Sequence, residues 1–223
     1  MKSIFISKED LPDSFRSFCK QKKWTITAKS FISFKPINFS LPDTSTFDII
    51  CFTSPRCVQF FFEGIQGIPL HQKMVCIGQR TAEELESYGF QSSFTGEKSG
   101  QPEFVAKELA KYVAGRKVLF PQSNRSKQSM QKFIPSNNII PLVIYETNFS
   151  PQSLEVKDVD LLVFTSPSNF ESFLAKNTIA KNQRIIAWGE TTAKIISNKG
   201  FNVFKTLKTS SFEELTEIVE SFG

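Results

Sequence analysis

The run FDIICFTSP at 47–55 returns as DLLVFTSP at 160–167, so that the tetrapeptide FTSP starts at 52 and again at 164, an offset of 112. Each copy closes an apolar run with a turn. Downstream, IGQRTAEELESYGF (77–90) aligns with WGETTAKIISNKGF (188–201). Next, EFVAKELAKYV (103–113) and SFEELTEIVESF (211–222) both carry apolar residues at the i, i+3, i+4 spacing of an amphipathic helix. The register extends upstream as well. KVLFPQS (117–123) resembles KSIFISK (2–8), each followed by a polar helical stretch and then by an apolar run, near 139–145 and 31–34 respectively. The chain therefore reads as two copies of a unit of about 110 residues, each alternating strand and helix. That alternation predicts an α/β fold with parallel sheets and helices on both faces. A period this long marks a duplicated domain and not a solenoid, whose repeats run to about 20–50 residues.

Local signals agree with this reading. In each FTSP the strand ends, Ser54 or Ser166 can cap, and Pro55 or Pro167 suits the first helical position. Thr81 with Glu84, and Ser211 with Glu214, have the spacing of capping boxes. Gly89-Phe90 and Gly200-Phe201 read as glycine stops with an apolar contact after them. Gly78 and Gly189 mark the strand-to-helix turns. Four helix N-termini, two per repeat, then lie just beyond the carboxyl ends of parallel strands, where open α/β sheets bind ligands. Unpaired N–H groups and the positive dipole end there favour anions. Two polar, proline-bearing stretches, PINFSLPDTST (36–46) and TNFSPQSLEVKD (147–158), are the candidate linkers.

The composition excludes several classes. Of 223 residues, 40% are hydrophobic and 22% charged, which is globular composition with no low-complexity tract. The 24 phenylalanines lie within apolar runs and read as core filling. The net charge of +5 comes from 27 basic and 22 acidic residues spread along the chain. Such diffuse charge suits an anionic small molecule, not a nucleic acid. A single histidine, His71, in a loop-like IPLHQK stretch, rules out a His-rich metal site and leaves no spare partner for a His-based triad. Four cysteines lack C-x-x-C spacing, and Cys51 and Cys76 sit in strand-like runs as small hydrophobes. No metal is expected. The start MKSIFISKEDLPDSF lacks a signal-peptide core, and no segment approaches the roughly 20 apolar residues of a membrane span. A cytoplasmic protein that does not engage membranes is the expectation. No G-x-G-x-x-G or G-x-x-x-x-G-K-[ST] is present, so nothing supports a nucleotide-cradling loop.

The paired FTSP turns, the Gly-x-x-Thr turns at 78–81 and 189–192, LFP at 119–121 and IYET at 144–147 together resemble the uroporphyrinogen-III synthase family in order and spacing across the whole chain. The resemblance implies two flavodoxin-like lobes related by internal duplication and joined by a two-stranded linker. Lobe one would comprise 1–35 plus 149–223 and lobe two 38–145, with linkers at about 34–46 and 145–158; the repeat alone is equally compatible with tandem domains. It implies a cofactor-independent lyase acting in the inter-lobe cleft. The reaction closes hydroxymethylbilane, a linear tetrapyrrole with eight carboxylates, to uroporphyrinogen III with loss of water and inversion of ring D. Carried over residue by residue, the substrate-binding rim would be Ser54, Arg56, Thr81, Ser123 and Asn124 in lobe two and Ser166, Ser168, Thr191 and Thr192 in lobe one. Ser123 and Asn124 would act through backbone N–H groups. Tyr145 would be the catalytic proton donor to the leaving hydroxyl.

Plainer readings stand beside these. Ser54, Ser166 and Thr81 are also explained as helix caps, Tyr145 as linker packing, Arg56 as a solvated charge, and Trp188 as core or lip packing. The chain departs from the family pattern at Glu190, where proline is common, at Gln122-Ser123, and at Ser7-Lys8, where Arg-Pro is common. A non-catalytic two-lobed sensor for an anionic metabolite is the alternative function. With no extra apolar surface helix in the sequence, a monomer is expected.

Overall fold

A computed structural model describes residues 2–97 and 101–222. In chain order the elements are β1 (Ser3–Ile6), α1 (Asp13–Gln21), β2 (Thr25–Ala28), β3 (Ile32–Pro36), β4 (Ile49–Phe52), α2 (Pro55–Gly64), β5 (Lys73–Cys76), α3 (Gln79–Ser87), α4 (Pro102–Val113), β6 (Val118–Ser123) and β7 (Ile139–Phe149). They continue with β8 (Leu161–Phe164), α5 (Pro167–Leu174), β9 (Arg184–Ala187), α6 (Glu190–Asn198), β10 (Val203–Thr206) and α7 (Phe212–Ser221). The chain divides into two compact units. Lobe one is Met1–Ser33 with Asn148–Gly223, and lobe two is Phe34–Thr147.

Lobe one is a five-stranded sheet in the order β2-β1-β8-β9-β10, every pair parallel. Counted within the lobe this is 2-1-3-4-5, the doubly wound order whose ligands sit where the winding reverses, at the ends of its first and third strands. Lobe two has the order β3-β7-β6-β4-β5, with β7, β6, β4 and β5 parallel and Thr95 bridging in parallel to Cys76 beyond β5. Counted from β6 it is the same 2-1-3-4-5 winding. The chain enters it at the third strand, so lobe two is a circular permutation of lobe one.

The apolar runs at the two FTSP turns become the central strands β4 and β8, each buried along its whole length. A strand covered on both faces reads as a continuous apolar run without polar alternation. The two faces still separate by period two. Ile50 and Phe52 pack under α2 and α3 with Val58, Phe61 and Leu85, whereas Ile49 and Cys51 pack under α4 with Val105 and Leu109. In lobe one Leu161 and Val163 meet α1 and α7 through Phe15, Cys19 and Leu215, while Leu162 and Phe164 meet α5 and α6. That second face is where the phenylalanines gather. Phe5, Phe31, Phe164 and Phe173 contact one another at ring centroids 5.2–5.9 Å apart, mostly edge-on. Aromatic pairs of this geometry add about 0.5–1.5 kcal/mol each beyond the area they bury.

Helix termini follow the sequence in part. Ser54, Ser166 and Ser211 cap α2, α5 and α7, accepting from the N–H of Cys57, Asn169 and Glu214. Gly89 and Gly200 take φ of +82°, the left-handed conformation a glycine stop requires. The expected Thr81–Glu84 capping box does not form. Helix α3 starts a turn earlier, with Gly78 as its cap, and Thr81 is buried inside the first turn with its N–H on the Gly78 carbonyl. In the second capping box only half of the reciprocal pair exists, because the Glu214 carboxylate accepts from Lys208 and Thr209 N–H.

Two strand–helix expectations are also corrected. The second strand of lobe one is Thr25–Ala28, not the run near 31–34, which opens β3. TITA is a half-buried edge strand of alternating hydroxyl and apolar residues and lacks an apolar run to announce it. No α-helix follows KVLFPQS. Residues 124–138 form turns and two short 3-10 segments, Ser129–Gln131 and Ser136–Asn138. There Ser123 and Ser126 hydroxyls accept the N–H of Arg125 and Gln128, which competes with helix formation.

Candidate active site

In lobe two the winding reverses between β6 and β4, and the segments leaving those strands bring the predicted residues together. Strand β4 ends at Phe52, Thr53 turns outward, and Ser54 caps α2, whose first three residues are Pro55, Arg56 and Cys57. Opposite them lies Tyr145 on β7, buried at 7% exposure, with its ring 5.2 Å from Phe60 and 6.2 Å from Phe34. The Tyr145 hydroxyl lies 3.8 Å from Cys57 Sγ. Ser54 Oγ donates to the same sulfur at 3.2 Å while accepting the Cys57 N–H at 3.3 Å. Thr53 Oγ1 is 3.7 Å from that sulfur on another side. Burial first, then Cys57, pushes the Tyr145 phenol above its ordinary value, while the Ser54 hydroxyl and the Arg56 charge pull the other way. The phenol therefore keeps its proton throughout the neutral range.

Arg56 lies exposed at the mouth of this group, its guanidinium carbon 3.4 Å from the centroid of the Phe34 ring. Stacking fixes the plane of the guanidinium, which is the condition for two-point recognition of a carboxylate along its edge. The β6 end is tied to the Tyr145 strand. Ser123 pairs in register with Tyr145, the Asn124 N–H donates to the Tyr145 carbonyl at 3.1 Å, and Asn124 Oδ1 accepts the Thr147 N–H at 3.0 Å. The Asn124 N–H, expected to serve a ligand, is thus engaged in holding Tyr145. Ser123 Oγ accepts the Arg125 N–H. Thr81, on the next helix, is 4% exposed and does not present its hydroxyl at the surface.

Lobe one has the same frame with different chemistry. Between β1 and β8, Thr165 N–H donates to Ser7 Oγ at 2.7 Å and Thr165 Oγ1 to the Ser7 carbonyl at 2.8 Å. Ser166 caps α5, where Ser168 occupies the place of Arg56 and Asn169 that of Cys57. The Asn169 amide accepts the Phe31 N–H at 2.7 Å and leans on Ser166 Oγ at 3.3 Å. On α6, capped by Gly189, Thr191 is exposed and Thr192 buried, and Glu190 is exposed at the first position, where the helix dipole favours an acid. Trp188 packs edge-on against Phe212 at 4.9 Å; in lobe two, His71 is exposed in its loop.

Sequence reasoning missed Cys57, Thr53 and Phe34. Cysteine at the third helical position carries no signature of its own, and the Phe34–Arg56 stack joins positions the chain separates by a strand and a loop. Among the described residues no cluster of His, Cys, Asp or Glu is placed to hold a metal, and no helix is long and apolar enough to cross a membrane.

Two repeats of a doubly wound α/β sheet, each with a serine-capped helix start at its reversal point, define a duplicated two-unit α/β protein. A family model described as uroporphyrinogen-III synthase HemD matches residues 14–217. The chain is 29% identical over 195 residues to uroporphyrinogen-III synthase of Chlorobaculum parvum, covering 77% of this chain and 78% of that protein. Among solved structures it is similar to uroporphyrinogen-III synthetase of Helicobacter pylori, at TM-score 0.74 and 18% identity over all of both chains. It is also similar to a mutant uroporphyrinogen III synthase of Thermus thermophilus, at TM-score 0.67 and 14% identity over 100% of this chain and 97% of that one. The chain belongs to the uroporphyrinogen-III synthase family.

Proposed function

We propose that this chain closes hydroxymethylbilane to uroporphyrinogen III without a cofactor, as a carbon–oxygen lyase acting as a cytoplasmic monomer. The observation that carries the reading is the meeting of a buried, protonated phenol, Tyr145, with a helix start and a planar-locked guanidinium, Arg56, at the reversal point of lobe two in a member of this family. The terminal pyrrole nitrogen pushes its electron pair toward the hydroxymethyl carbon and the C–O bond breaks. Tyr145 supplies the proton that turns the departing hydroxide into water. The substituted carbon of ring D attacks the resulting azafulvene and forms a spiro centre. The older bond to ring D then breaks, and ring D recloses through its free carbon. Loss of the proton from that carbon restores the pyrrole and returns a proton to the phenolate. Spontaneous closure would join ring D without inversion, so the protein's task is mainly positioning and exclusion of the competing geometry. Arg56 in lobe two and, in lobe one, Ser166, Ser168 and Thr191 hold substrate carboxylates in this reading.

The test is to feed freshly generated hydroxymethylbilane to the protein and resolve the oxidised uroporphyrin isomers by chromatography. Predominantly type III, well above a no-protein control, is expected. Type I alone at the spontaneous rate, or binding without turnover as a sensor would show, refutes the proposal.

A further inference from the structure

We infer that Cys57 is a positioning residue for Tyr145, setting the direction in which the phenol presents its proton; this rests on the general-acid reading of Tyr145 above. Cys57 Sγ stands at the centre of the polar group beneath α2, 3.2 Å from Ser54 Oγ, 3.7 Å from Thr53 Oγ1 and 3.8 Å from the Tyr145 hydroxyl. The Ser54 hydroxyl points its proton at the sulfur. The thiol proton is then free to turn toward the phenol oxygen, and the phenol proton toward the open end of the group. A chain of donors running Ser54, Cys57, Tyr145 has one polarity, and each link strengthens the next.

The duplication gives an independent argument. In lobe one the third helical residue after Ser-Pro is Asn169, and it too reaches across to the neighbouring segment, holding the Phe31 N–H at 2.7 Å. In both lobes this position ties the helix start to the chain beside it. Lobe one uses an amide on a backbone N–H, a fixed clamp. Lobe two uses a thiol on a side-chain hydroxyl, so the group being held is the one with chemistry to perform. Cys57 is 1% exposed and packs in the core with Val58 and Phe61, so its position is set by the fold.

Steady-state isomer assays on four cysteine variants, on Tyr145→Phe and on the Tyr145→Phe/Cys57→Val double variant test the inference. Cys57→Ala and Cys57→Val should lower kcat about fivefold, the size of one net intramolecular hydrogen bond, with KM unchanged. The valine fills the volume of the thiol, so the test does not depend on alanine being tolerated. Cys57→Ser, which keeps a donor, should regain at least half of the lost rate. Cys51→Ala, a buried thiol on the opposite face of the sheet, should leave kcat unchanged. In a Tyr145→Phe background Cys57→Val should cost nothing further. A loss confined to KM, or the same fivefold loss in the Tyr145→Phe background, overturns the positioning role while leaving the general acid intact. Unchanged turnover in Tyr145→Phe by itself removes the general acid, and the positioning role falls with it.

Discussion

Arg56 offers the sharpest test of where substrate carboxylates bind. Its guanidinium carbon lies 3.4 Å over the Phe34 ring, and the side chain is exposed. An exposed cation–π contact is worth about 0.5–1 kcal/mol. In a domain of this size that corresponds to a melting temperature lowered by about 1–4 °C in Arg56→Ala. The functional cost should be larger. A carboxylate held by charge-assisted hydrogen bonds on the guanidinium edge contributes about 1.5–3 kcal/mol, equivalent to about 10- to 150-fold in kcat/KM. Arg56→Lys keeps the charge but loses the fork and most of the stack, so it should fall between the wild type and alanine. The measurement is kcat/KM for uroporphyrinogen III formation beside thermal unfolding of the same preparations. An alanine variant within about threefold of the wild type would refute the reasoning, for Arg56 would then be a solvated charge on a stacked stem. A drop in melting temperature beyond about 10 °C would refute it differently, by showing that the residue supports the fold.

Tyr145 has a phenol raised above its ordinary value by burial, so the folded state binds that proton more tightly than the unfolded chain does. Its contribution to stability is fully present below about pH 10 and is lost as pH rises beyond it; between pH 9 and 11 the unfolding free energy of the wild type should fall more steeply than that of Tyr145→Phe, and parallel slopes would contradict the burial. At neutral pH, Tyr145→Phe should lower kcat about 100-fold with little change in KM, the low end of what a positioned acid supplies. Asn169→Ala removes the acceptor of the buried Phe31 N–H and should cost about 1–3 kcal/mol in urea unfolding, while Ser168→Ala, at the half-exposed second position, should cost under about 0.5 kcal/mol. Burial pushes the thiols of Cys19 and Cys76 up to about 11 and that of Cys51 well above its ordinary value. Cys19 and Cys76 should therefore be alkylated at pH 8 about 100-fold more slowly than a free cysteine, and Cys51 should be slowed as well, as mass spectrometry of iodoacetamide-treated native protein would show.

What the sequence revealed and what it hid follow the same physics. The paired FTSP runs located β4 and β8 because a central parallel strand must be apolar throughout, and Ser-Pro at their ends could only be a helix start. The amphipathic α4 and α7 were legible from their period. Thr25–Ala28 was not, since an edge strand needs only half its residues buried and TITA has no run to find. The segment after β6 was misread as helix because its polar composition fits a solvated helix and a turn equally, and the deciding contacts are hydroxyls of Ser123 and Ser126 on nearby N–H groups. At the site, the resemblance to the family singled out Ser54, Arg56 and Tyr145, and the structure sets Tyr145 in the middle of β7 with its hydroxyl 3.8 Å from Cys57 Sγ at the start of α2. Thr81 was placed a turn too early in α3 because glycine caps a helix without any side chain to announce it. The Asn124 N–H was read as available because its partner, the Tyr145 carbonyl, comes from a strand 21 residues on.

The permuted winding sets the order in which the lobes can be finished during synthesis. The parallel pairings of lobe two all lie within the continuous stretch Phe34–Thr147, so that lobe emerges from the ribosome ready to complete. Strand β1 meets β2 almost at once, Ser3 opposite Thr25, but its other neighbour is β8, where Ile4 pairs with Leu161. At about 5–20 residues per second the wait for that partner lasts roughly 8–30 s. Throughout it, a strand whose Ile4, Phe5 and Ile6 end fully buried presents an unpaired apolar edge, the kind of surface on which other chains dock. Within lobe one β1 precedes its inner neighbour β8 by most of the chain, so the open edge of β1, and not the duplicated core, is where a chaperone would act during synthesis.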